Sequence, residues 1–215
     1  MSRFVKRAAD RIIAAVLLVL LAPVFLAAAL WILVDGGRPV LLAQDRVGKD
    51  GRPFRMLKFR TMVQNAIELG QKLRLSEDPF AVVANDPRIT RPGRLLRRTS
   101  LDELPQLWNV FRGEMSLVGP RPDLAEQVAN YTEHDRRRLV VEPGITGLAQ
   151  VNGREEIPWP ERIEQDLWYI DHWSLALDAK ILLRTFVQLG REDEHPIEDT
   201  MNIERTRARE KAESS

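Results

Sequence analysis

The chain has 215 residues, enough for one domain or for a small core with an anchor. Its 32 Lys and Arg against 31 Asp and Glu leave a formal net charge of +1, which argues against a polycation that coats nucleic acid. With no cysteine and three scattered histidines, disulfides, thiol nucleophiles, thiolate metal sites and a histidine zinc cluster are excluded.

From Ile12 to Val34 run 23 residues without a charged or polar side chain. As a helix they extend about 34 Å, against a hydrocarbon core of about 30 Å. Pro23 interrupts the run, and proline kinks or breaks a helix. Both flanks are basic, with Arg3, Lys6, Arg7 and Arg11 before and Arg38, Arg46, Lys49 and Arg52 after. The positive-inside rule then holds both ends in the cytoplasm, as in a bent re-entrant segment. A kinked spanning anchor is the alternative. A cleaved signal peptide fits less well, because the run exceeds the usual ~7–15-residue apolar region.

Residues 36–63 carry seven Lys and Arg against Asp45 and Asp50. Gly36-Gly37-Arg38-Pro39 reads as a turn. Val40–Leu42 and Phe54–Phe59 are expected to pair as strands around Lys49–Arg52, with a helix over Val63–Leu75. Arg88, Arg91, Arg94 and Arg97 recur at steps of three, with Arg98 beside them. They form a basic stripe for lipid or substrate phosphate, or else a solvated face, and Pro92-Gly93 is expected to interrupt its helix.

Thr99–Phe111 is amphipathic. Leu101, Leu104, Leu107, Trp108 and Phe111 share one arc, suited to a core or a membrane surface. Asp102, Glu103, Gln106 and Asn109 lie opposite. Ser100-x-x-Glu103 has capping-box spacing, which accounts for these residues without any function. The Asp102-Glu103 pair is, however, surrounded by Arg97, Arg98, Arg112 and Arg121. Cations keep carboxylates ionised and attract phosphate. Two carboxylates with phosphate oxygens suit Mg²⁺, and an ionised Asp is a nucleophile for phosphoryl groups.

Gly119–Pro122 and Glu142–Gly147 read as turns, and Asp123–Arg138 and Glu161–His172 as helices. Trp108, Trp159, Trp168, Tyr169 and Trp173 suit core or interfacial anchoring better than base stacking. Residues 191–215, with five basic and eight acidic side chains, read as a polar tail.

Four ordered blocks carry a resemblance: Lys58–Met62, Leu95–Leu107, Met115–Pro122 and Pro143–Arg154. From Lys6 to about Thr185 the chain resembles the bacterial sugar transferases. More narrowly it resembles the small monotopic polyprenyl-phosphate phosphoglycosyl transferases, which lack the extra membrane helices of larger members. The resemblance implies transfer of a sugar phosphate from a UDP-sugar to undecaprenyl phosphate, with release of UMP. The product would be the first membrane-bound intermediate of a glycan pathway. Asp102 would be the nucleophile and Glu103 its assistant, both candidate ligands of Mg²⁺. Arg97, Arg121, Lys58 and Arg60 would hold phosphate, and Gln150 and Arg154 would touch nucleotide or sugar.

The implied fold is α+β and mostly helical. It has a Pro-kinked re-entrant membrane helix, interfacial amphipathic helices and a small β-hairpin. The divisions are 1–35 for the membrane helix, 36–190 for a catalytic domain on the membrane surface, and 191–215 for the tail. The place is the cytoplasmic face of a bacterial inner membrane, and a homodimer is compatible with the sequence. Ala22-Pro23 departs from the Ser-Pro frequent in the family, so no hydroxyl is available to the carbonyl that the proline frees. Two other readings use the same residues: a Mg²⁺-dependent phosphohydrolase, and a non-catalytic adaptor bound to anionic lipid.

Overall fold

A computed structural model describes residues 3–73, 86–153 and 157–188. The chain opens with helix α1 (Arg3–Leu20) and helix α2 (Ala22–Gly36), bent by 61° at Leu21. Pro23 sits in the first turn of α2 and has no N–H, so the carbonyl four residues earlier loses its donor. Leu21 N still bonds Leu17 O at 2.9 Å and Phe25 N bonds Leu21 O at 2.9 Å, so the break is confined to one turn. Among the described residues no single helix is long and apolar enough to cross a membrane; the bent pair together is. Ile12, Val16, Val19 and Leu20 of α1, and Leu26, Leu30 and Val34 of α2, are exposed.

Strands β1 (Leu41–Val47) and β2 (Pro53–Phe59) form the expected antiparallel hairpin, with Leu41 opposite Phe59 and Val47 opposite Pro53. Its Lys49–Gly51 turn places Asp50 and Gly51 at φ 56° and 75°. Helix α3 (Ala66–Lys72) lies inside the expected 63–75 helix, whose last two residues fall outside the described ones.

Helix α4 (Arg91–Arg98) carries Pro92-Gly93 in its first turn, where proline is tolerated, and Arg88 lies outside it, so no long helix carries the whole arginine stripe, as the Pro-Gly pair implied. Thr90 caps it, its hydroxyl accepting from Gly93 N at 3.1 Å. A Cβ on Gly93 would lie 2.1 Å from the Thr61 carbonyl oxygen, so only glycine allows this approach.

A 3₁₀ turn over Leu101–Glu103 leads into α5 (Gln106–Arg112). The expected capping box does not form. Ser100 is left-handed at φ 53°, its side chain caps nothing, and Glu103 turns to other partners. The polar side of this segment is also not its wet side. Gln106 and Asn109 are each 1% exposed, whereas Trp108 and Phe111 are 46% and 43% exposed.

Strands β3 (Ser116–Val118) and β4 (Gly144–Thr146) pair in parallel. The single helix expected over 123–138 is two short ones, α6 (Ala125–Ala129) and α7 (Glu133–Arg136), followed by a 3₁₀ turn over Arg137–Val140. Thr132 restarts the chain as a cap, bonded reciprocally with Asp135. Helices α8 (Leu148–Asn152), α9 (Trp159–Asp171) and α10 (Leu175–Gln188) complete the described chain. Only α9 was anticipated, within two residues at its N-terminus and one at its C-terminus.

The main core gathers Ala14, Met56, Leu107, Val110, Val118, Leu167 and Ile181. A smaller cluster of Ala28, Ile32, Phe59 and Leu96 seats α2 on β2 and α4. The molecule is thus α+β and mostly helical, as expected. Its first two helices are packed on the elements that carry the candidate site. The expected tail, 191–215, lies outside the described residues.

Candidate active site

Three elements converge on the Asp102-Glu103 turn. β2 contributes Lys58, α4 contributes Arg97, and the extended Gly119–Asp123 segment contributes Arg121. Glu103 is tied down: Lys58 Nζ donates to its Oε1 at 3.0 Å and Arg121 Nη2 donates to the same oxygen at 2.7 Å. Arg121 Nη1 reaches Oε2 at 3.4 Å. Asp102 is the opposite case. Half-buried, it has no hydrogen bond or ion pair among the described residues.

The protonation behaviour divides the same way. Burial pushes the Asp102 carboxyl up to about 6, and Glu103 adds to this while Lys58, Arg97 and Arg121 oppose it. Burial pushes Glu103 up too, but Arg121 and Lys58 outweigh it and hold its carboxyl well below the usual carboxylate range. Burial lowers Lys58, with Glu103 the chief opposing influence, and burial also lowers Arg97. At neutral pH both carboxylates are therefore ionised, beside the Arg97 and Arg121 guanidinium groups and the Lys58 amine. One carboxylate is locked by hydrogen bonds and one is free to react.

Arg97 is aimed by Nε donating to Thr61 Oγ1 at 2.9 Å, and among the described residues its terminal amino groups make no hydrogen bond. The arginine stripe is not one surface. Arg88 is buried against Asp86 with Nη2 to Oδ2 at 2.7 Å, whereas Arg91, Arg94 and Arg98 are exposed.

The remaining candidates lie elsewhere. Arg60 is buried and donates from Nη2 to Gly37 O at 2.8 Å, closing the C-terminal end of α2. Gln150 folds back to donate to Ile145 O at 3.0 Å. Arg154 falls outside the described residues.

Sequence reasoning passed over two residues that shape the site. Asn109 Nδ2 donates to Arg55 O at 2.8 Å, and Asn109 Oδ1 accepts from Leu57 N at 3.1 Å. It thereby binds the outer edge of β2 just before Lys58. Its only sequence signal was its place on the polar arc with Glu103 and Gln106. Arg46, read as a flanking charge, donates to Pro122 O at 3.1 Å beside Arg121. Burial first, then the charge of Arg121, lowers Arg46 to about 10.

A carboxylate among cations, next to one held in place by two of them, has the chemistry to attack phosphorus while the cations hold phosphate oxygens. The chain belongs to the bacterial sugar transferase family, whose description matches residues 1–192. It is 45% identical over 200 residues to the UDP-galactose-lipid carrier transferase of Erwinia amylovora, covering 89% of this chain and 42% of that one. It is 43% identical over 192 residues to the UDP-glucose:undecaprenyl-phosphate glucose-1-phosphate transferase of Xanthomonas campestris, covering 84% of this chain and 37% of that one. With the exopolysaccharide production protein ExoY of Rhizobium meliloti it shares 38% identity over 187 residues, covering 84% and 83%. The chain thus spans less than half the length of the first two relatives and most of the third.

Proposed function

We propose that the protein transfers a sugar-1-phosphate from a UDP-sugar to undecaprenyl phosphate, releasing UMP, as the first membrane step of glycan synthesis. The observation that carries this reading is the contrast within the dyad: Asp102 without a partner, Glu103 held by Lys58 and Arg121. A carboxylate oxygen of Asp102 attacks the β-phosphorus of the UDP-sugar. The new O–P bond forms as the bond from that phosphorus to the bridging oxygen breaks, and UMP leaves with the bridging oxygen. An oxygen of undecaprenyl phosphate then attacks the same phosphorus. The bond to Asp102 breaks, and the free carboxylate returns with a polyprenyl diphosphate sugar. Lys58, Arg97 and Arg121 offset the repulsion among two anionic substrates and the nucleophile. The donor and acceptor named for the Xanthomonas relative support the same pairing here.

The donor set suits Mg²⁺, a hard cation that accepts one or two carboxylates and takes its other oxygens from phosphate and water. Among the described residues, Asp102 has both oxygens without hydrogen-bond partners, and Glu103 Oε2 has a single 3.4 Å contact, from Arg121. These two residues would hold the ion, and when bound it supplies charge neutralisation at the phosphates.

On this reading α1 and α2 enter and leave the bilayer through the cytoplasmic face of a bacterial inner membrane. The uncovered apolar residues of both helices and the basic residues at both ends support that placement. The lipid tail stays in the bilayer while its phosphate reaches a site at headgroup level.

The test is UMP release by purified protein in detergent with Mg²⁺, undecaprenyl phosphate and a panel of UDP-sugars. One sugar is expected to give UMP, with turnover dependent on the lipid. Omitting the lipid and quenching in acid should leave a sugar phosphate on the peptide that contains Asp102. Asp102→Asn should abolish both while the protein stays folded. Release of inorganic phosphate without a lipid acceptor, or a fully active Asp102→Asn, refutes the proposal.

A further inference from the structure

Arg121 lies in Gly119-Pro120-Arg121-Pro122-Asp123, an extended segment with no regular structure of its own through 120–123. Two prolines restrict its backbone and remove two donors. Its geometry is therefore imposed from outside, and each successive carbonyl has a separate donor. Gly144 N donates to Pro120 O at 2.8 Å, Arg138 Nη2 to Arg121 O at 3.2 Å, Arg46 Nη1 to Pro122 O at 3.1 Å, and Val47 N to Asp123 O at 2.9 Å.

Among the described residues, Arg138 is the side chain that donates to the carbonyl of Arg121 itself. Its side chain is 4% exposed and is held on every side. Nη1 meets Asp123 Oδ2 and the Tyr131 hydroxyl, which in turn donates to Asp123. Nε and Nη2 meet Asp166 Oδ2 at 3.0 and 2.7 Å. The guanidinium also lies over the rings of Tyr131 and Trp159, at 5.7 and 5.4 Å from their centroids. Replacing a buried ion cluster with apolar residues is often neutral or stabilising, so such a cluster is a weak stabiliser. What this one does supply is a fixed direction. It links α9 through Asp166 to both ends of the Arg121–Asp123 segment.

We infer that Arg138 is a positioning residue that aims Arg121 at the substrate phosphates, acting through the Arg121 carbonyl and the Asp123 carboxylate. The inference rests on the proposed function only for the identity of the phosphate-bearing substrate. It concerns α9, the 3₁₀ turn over 137–140 and a cluster that touches neither substrate nor dyad.

The experiment is a double-mutant cycle with two readouts on the full chain. The first is calorimetric binding of inorganic pyrophosphate, which needs no turnover. The second is donor kinetics. Arg121→Gln, Arg138→Lys and the double variant are compared, with a thermal melt for each. Arg138→Lys keeps a charge for Asp123 and Asp166 but loses the planar fork that also reaches Arg121 O. It is expected to weaken pyrophosphate binding by about tenfold and to raise donor KM more than it lowers kcat. In the Arg121→Gln background it should add less than about twofold, because the group it aims is gone. Asp166→Asn, which conserves volume, serves if Arg138→Lys does not fold, with a weaker effect of the same sign and the same non-additivity.

Additive losses, or a fall in kcat alone that tracks the folded fraction, overturn the inference. If no UDP-sugar yields UMP but the pyrophosphate cycle is non-additive, the proposed function fails and the positioning role stands. If UMP is released and the cycle is additive, the reverse holds.

Discussion

Two buried amides on one helix should differ sharply in their sensitivity to substitution. Asn109 and Gln106 lie three residues apart on α5, and each is 1% exposed. In the β1–β2 register the bonds Arg60 N to Val40 O and Gly48 N to Arg52 O fix which pairs are hydrogen-bonded. By alternation the N–H and C=O of Arg55 and Leu57 then point away from β1. The side-chain amide of Asn109 meets them as a neighbouring strand would, accepting from Leu57 N at 3.1 Å and donating to Arg55 O at 2.8 Å. It also donates to Glu114 Oε2 at 2.7 Å.

Asn109→Leu, close in volume, strands two backbone groups and a carboxylate oxygen. Each unsatisfied backbone group costs about 1–3 kcal/mol. The added apolar burial offsets about 1 kcal/mol, so the net loss is about 1–5 kcal/mol. Gln106 Nε2 is buried without a partner. Gln106→Met therefore loses no bond and should change stability by less than about 1 kcal/mol, in either direction. Denaturant unfolding of the purified protein in detergent, read as the shift in midpoint at constant slope, measures both. Because Lys58 follows Leu57 directly, Asn109→Leu should also lower donor turnover. Equal destabilisation by the two variants, or less than about 1 kcal/mol from Asn109→Leu, refutes the reasoning.

Two further outcomes follow from the same structure. Asp102 is raised to about 6 and, in the proposed reaction, attacks as the carboxylate, so kcat/KM should fall about tenfold per pH unit below that value. Lys58→Met, which removes an opposing cation, should move this acid limb upward; a flat profile through pH 6, or a downward shift, contradicts the assignment. In Gly93→Ala the new Cβ would sit 2.1 Å from the Thr61 carbonyl, and α4 must move. A loss of about 3 kcal/mol is expected. Thr61 also aims Arg97 through its hydroxyl, so donor KM should rise, and a variant with an unchanged melting temperature would show that the contact is not tight.

Much of the site was legible in the sequence because it is local. Asp102 and Glu103 are adjacent, and the blocks that supply Lys58, Arg97 and Arg121 each carry a short fixed pattern. The bend at Pro23 and the hairpin around Lys49–Arg52 were legible for the same reason, since proline and glycine act on their own backbone. The capping box failed because Ser100 takes a left-handed conformation, which residue spacing does not encode. The 123–138 helix failed because Thr132 and Asp135 form a stronger local cap than a continuous helix allows.

By itself, then, the sequence determined the apolar bent segment, the acidic pair and the cations destined for it, all properties of neighbouring residues. Only the tertiary structure decided which cations meet which carboxylate. Lys58 and Arg121 take Glu103 and leave Asp102 without a hydrogen bond among the described residues, although the two acids are adjacent and flanked by the same charges. It likewise decided that Arg60 closes α2 and that Arg138 serves Arg121. These outcomes depend on contacts across 17 to 45 residues of chain, where hydrogen-bond geometry and burial select among equally charged partners.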